Sequence, residues 1–137
     1  MSNDRLQSEV VFYEQIAAMF YAVLMSDNSF HRQEAVRLND VLKKHFLEAD
    51  TGNILNTEEA MMLIRKKTGD LLVSQENALD KLEAFRQYRN LNQTYFTPEI
   101  QQALWKAANA LAYAAAGQNK SELIVLQELK QILHQPI

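Results

Sequence analysis

The sequence predicts an all-α fold, a single domain over residues 1–137 built as a bundle of about six or seven helices. Three observations point there. Apolar residues recur at helical spacing along nearly the whole chain, and no useful stretch alternates apolar with polar. Three glycines (Gly52, Gly69, Gly117) and two prolines (Pro98, Pro136) are all that punctuate it. Apolar side chains make up 47% of the residues, enough to bury one core at this length.

The first helix is predicted from about Asn3 to Ser26, with Phe12, Ile16, Met19, Phe20, Val23 and Leu24 at helical spacing. From Ile16 onward it is apolar all round, which marks a central helix. A second helix starts near His31 and ends near Leu47, turning Ala35, Leu38, Val41, Leu42 and His45 inward. The stretch 48–53, Glu-Ala-Asp-Thr-Gly-Asn, reads as a loop. Asn56 with Glu59 three residues on has capping-box spacing and opens a third helix, predicted to stop before Gly69. A fourth helix covers about Ser74 to Leu91, with Ala78, Leu79, Leu82, Phe85 and either Tyr88 or Arg89 inward.

Thr97-Pro98-Glu99 is a well-formed helix start: cap, first-position proline, first-turn acid. That fifth helix runs to Ala116 and ends at Gly117. Asn119 and Glu122 repeat the capping-box spacing and open a sixth helix, about Lys120 to His134, with Leu123, Leu126, Leu129 and Leu133 inward. A weak internal repeat emerges. The first and fifth helices are both apolar rods, each ending in a short polar corner that opens an amphipathic helix, about 90 residues apart. Two central apolar helices are therefore expected, with the alanines of residues 107–116 allowing close approach.

Composition removes several function classes. Net charge is −3, so nothing pulls the chain toward nucleic acid or an anionic membrane. Cysteine is absent, which removes disulfides, thiolate metal sites and cysteine nucleophiles together. The longest strongly apolar run, Ile16–Met25, is far short of the roughly 20 residues that span a bilayer. Met1–Arg5 lacks the basic-then-apolar layout of a signal peptide, so a cytoplasmic location is expected.

The chemistry-bearing candidates centre on the first corner, Ser26-Asp27-Asn28-Ser29-Phe30-His31-Arg32-Gln33-Glu34. Asp27, His31 and Glu34 supply oxygen and imidazole donors that suit a divalent metal ion. Folding chemistry also accounts for them. Glu34 lies three residues after His31, where its carboxylate can accept the His31 backbone N–H, and Asp27 can bond amides of the turn. Glu14 lies 13 residues up the first helix, about 20 Å from Asp27, and cannot join the cluster.

Other patterns fall away on spacing. His31/Glu34 and His45/Glu48 are two His-x-x-Glu pairs about 21 Å apart along one axis, so they cannot share one ion. No Glu-x-x-His occurs. A calcium loop around Gly52 would put Leu47 and Ala49 at ligand positions. Residues 85–96, Phe-Arg-Gln-Tyr-Arg-Asn-Leu-Asn-Gln-Thr-Tyr-Phe, interleave arginine with aromatics as single-strand nucleic-acid binders do. The aromatics also sit at helical spacing, and in an acidic chain they are expected to serve as core, with no nucleic-acid partner. No nucleophile motif, phosphate-cradling glycine loop or His-Glu-x-x-His appears.

The corner resembles the hallmark of the tellurite-resistance TerB-like family, an apolar helix ending in Ala-Asp-Gly-x-hydrophobic-Ser-x-x-Glu, repeated in degenerate form near the C-terminus. Asp27, Phe30 and Glu34 match; Asn28 stands for the glycine and His31 for the capping serine. In the second copy Gly117 matches, but Ala116 occupies the aspartate position and the acidic character is lost except for Glu122. The resemblance implies a bacterial, cytoplasmic protein tied to stress and tellurite-resistance functions, with acidic residues suspected of metal binding and no established catalysis. The expectation is a non-catalytic interaction or regulatory module, with a protein partner or self-association, and a divalent metal ion as the cofactor the corner would suit. The alternative is a metal-dependent helical enzyme using Asp27, His31 and Glu34.

Overall fold

The computed structural model of the chain describes residues 2–25, 40, 41, 44, 57–114 and 120–134. Among these there are five α-helices and no strand: α1 Ser2–Leu24, α2 Thr57–Ser74, α3 Ala78–Leu91, α4 Pro98–Ala114 and α5 Lys120–His134. A 3₁₀ turn, Gln93–Tyr95, joins α3 to α4. The all-α expectation holds.

Helix α1 is the axis of the bundle. Every residue from Ile16 to Leu24 is at most 5% exposed, as an all-round apolar segment requires. Helices α2 and α3 both pack along it; α4 and α5 pair with each other and cover another side. The second central helix expected from the sequence is different in kind. Helix α4 buries Ile100, Ala103, Leu104, Ala107, Ala108 and Leu111 but exposes Gln102 and Lys106, so it is amphipathic. Val41, from the predicted second helix, contributes to the main core.

Three boundaries follow cap chemistry. Ile100 N–H donates to Thr97 Oγ1 at 3.2 Å, so the Thr-Pro-Glu start forms as predicted. Asp80 N–H donates to Asn77 Oδ1 at 3.0 Å, which starts α3 at Ala78 and not near Ser74. Ser74 instead ends α2, its hydroxyl donating to the Leu71 carbonyl.

The predicted stop before Gly69 is overturned, because α2 continues through Gly69 to Ser74. Glycine inside a helix costs about 1 kcal/mol. Burying Leu71 on the far side, at 3% exposure, contributes about 2 kcal/mol and outweighs it. The left-handed residue that ends this helix is Gln75, at φ 54°. Within α3 the inward set is Leu82, Phe85 and Arg89. Leu79, expected inward, is 53% exposed, because it lies a quarter-turn off the Leu82/Phe85/Arg89 stripe.

Candidate functional site

The sequence-predicted corner of Asp27, His31 and Glu34 lies outside the described residues, as do His45, Glu48, Gly52 and Gly117. Among the described residues no three His, Cys, Asp or Glu side chains gather in a way that could hold a metal ion. None of the described helices is long and apolar enough to cross a membrane.

A different site appears where the N-terminal half of α1 meets the C-terminal end of α3. The 85–96 aromatic stretch folds back on itself there. Asn92 ends α3: its backbone N–H reaches the Arg89 carbonyl at 3.2 Å, and its side-chain amide donates to the Tyr88 carbonyl at 2.9 Å. The 3₁₀ turn then brings Tyr95 and Phe96 over Phe12 of α1.

Phe96 is the hub. Its ring lies 5.5 Å from Phe12, 5.8 Å from Phe85 and 6.0 Å from Tyr88, the last two edge-to-face. Phe12 in turn meets Tyr95 edge-to-face at 6.0 Å. Such pairs contribute about 0.5–1.5 kcal/mol each beyond the area they bury, and they fix ring orientation. The three phenylalanines are buried, while Tyr88 is half-buried and Tyr95 is 40% exposed.

These two tyrosines wall an open groove of about 350 Å³, completed by Gln7, Ser8, Val11 and Asn92. Among the described residues its lining is aromatic, aliphatic, amide and hydroxyl. Burial pushes the Tyr88 phenol up to about 12, with Tyr95 beside it adding to the effect, so Tyr88 stays neutral at physiological pH. Val11 is 43% exposed and gives the groove an apolar side chain.

Next to Tyr88 on α3 is Arg89, 1% exposed. Its Nε donates to Gln101 Oε1 of α4 at 2.7 Å, and one terminal nitrogen donates to Asn90 Oδ1 at 3.3 Å. Burial draws its pKa down from the usual guanidinium range. Arg86, by contrast, is exposed and bonded to Glu83 at 2.9 Å through Nε. Neither arginine therefore belongs to a basic, base-stacking surface. One turn beyond Val11 on α1, Gln15 carries a buried Oε1 with no hydrogen-bond partner among the described residues.

The sequence pointed to the aromatic stretch but not to the groove. Only the fold brings Gln7, Ser8 and Val11 to residues some 80 positions away. The available signal was Val11 itself, an apolar side chain off the stripe of Phe12, Ile16 and Met19. No protein-family model, curated protein or solved structure matches this chain.

Proposed function

We propose that this chain is a non-catalytic interaction or regulatory module of the TerB-like kind, cytoplasmic, working through contact with a partner protein or with a second copy. One observation carries the reading: the groove between α1 and α3, with two tyrosine walls and the exposed Val11 in its lining. Its side chains offer apolar contact and hydrogen bonding. Among the described residues they include no nucleophile–base pair. An all-α bundle around an apolar α1 is compatible with the TerB-like resemblance, and within it the Asp27–Glu34 corner is the proposed seat of a divalent-metal response.

A thermal-melt series with calcium, magnesium, manganese and zinc tests this, on wild type and on Asp27→Ala/Glu34→Ala. A bound ion at a hundredfold excess over its dissociation constant adds about 2.7 kcal/mol to the native state. A metal-dependent rise that the double variant loses makes the module metal-responsive. The same rise accompanied by metal-dependent turnover would replace the module with an enzyme. With no rise in wild type, the metal response is abandoned and the groove is left as the working surface.

A further inference from the structure

We draw no further inference here: the strongest candidate, the outward face of α2 on which Met62 and Val73 lie exposed on either side of Gly69, carries nothing because nothing among the described residues shows what covers it.

Discussion

Tyr21 of α1 donates its hydroxyl hydrogen to the backbone carbonyl of Glu76, 55 residues further along the chain. The phenol is fully buried, in a small cluster with Ala18 and Leu71 apart from the main core. That bond ties the α2–α3 turn to the central helix. Tyr21→Phe keeps the ring and removes only the donor, leaving a part-buried carbonyl unpaired. The expected loss is about 1–2 kcal/mol. Urea unfolding should show a lower midpoint at unchanged slope, the signature of a stability change without altered compactness.

One residue beyond Ser74, Gln75 holds φ 54°, and its backbone N–H reaches the Leu71 carbonyl at 2.9 Å. A side chain in the left-handed region costs about 1–2 kcal/mol, a strain glycine does not feel. Gln75→Gly gives back part of that gain by loosening the unfolded chain. The net expectation is a stabilisation of about 0.5–1 kcal/mol, seen as a raised melting temperature. A lower melting temperature would mean that the Gln75 side chain supports the turn.

This turn also shows what a sequence can and cannot disclose. Helix starts were legible at Thr97-Pro98 because cap chemistry is local: a hydroxyl, a fixed φ and a first-turn acid within three residues. The end of α2 was not. Gly69 carries the local stop signal, but burial of Leu71 against α1 decides the matter, and that contact exists only after folding. The same holds for α3, where the choice between Tyr88 and Arg89 as the inward residue turned on Gln101, twelve residues away on another helix. The Asp27–Glu34 corner stands as a sequence-derived candidate outside the described residues. The groove was invisible because its two halves are far apart in the chain.

Arg89 and Gln101 make that long-range choice testable. The guanidinium is buried, so each of its donors needs a partner. Gln101→Ala removes the 2.7 Å acceptor from Nε, and a charged hydrogen bond of this kind is worth about 1.5–3 kcal/mol. Arg89→Lys keeps the charge but not the planar fork, and should destabilise by a similar amount. In a double-mutant cycle the two losses should fall short of additivity, since each change breaks the same bond. Full additivity would show that Gln101 does not hold Arg89.

Gln15 presents the opposite situation, a buried acceptor without a donor among the described residues. An unsatisfied buried polar atom costs about 1–3 kcal/mol, and an apolar replacement of the same shape removes that cost. Gln15→Met is such a replacement. Thermal melts should show a gain of about 1 kcal/mol, whereas a loss would imply that the amide has a partner in solution.

The phenol of Tyr88 predicts how the groove end responds to alkali. Burial, with Tyr95 adjacent, raises its pKa to about 12 in the folded protein, against about 10 for an exposed tyrosine. The folded state therefore favours the neutral phenol. Below pH 10 both states are protonated and the full stabilisation is present. Between about pH 10 and pH 12 the unfolded chain releases the proton first, so stability falls as pH rises. Tyr21, also raised by burial, acts in the same direction. Lysine deprotonation and Tyr21 are common to wild type and Tyr88→Phe, so the difference between their melting curves isolates Tyr88. From pH 8 to pH 10 that difference should be constant. Above pH 10 wild type should lose stability faster than the variant. Parallel curves across the whole range would mean that the Tyr88 hydroxyl is as solvated in the folded protein as in the unfolded chain, and that this wall of the groove is wetter than its packing against Phe96 indicates.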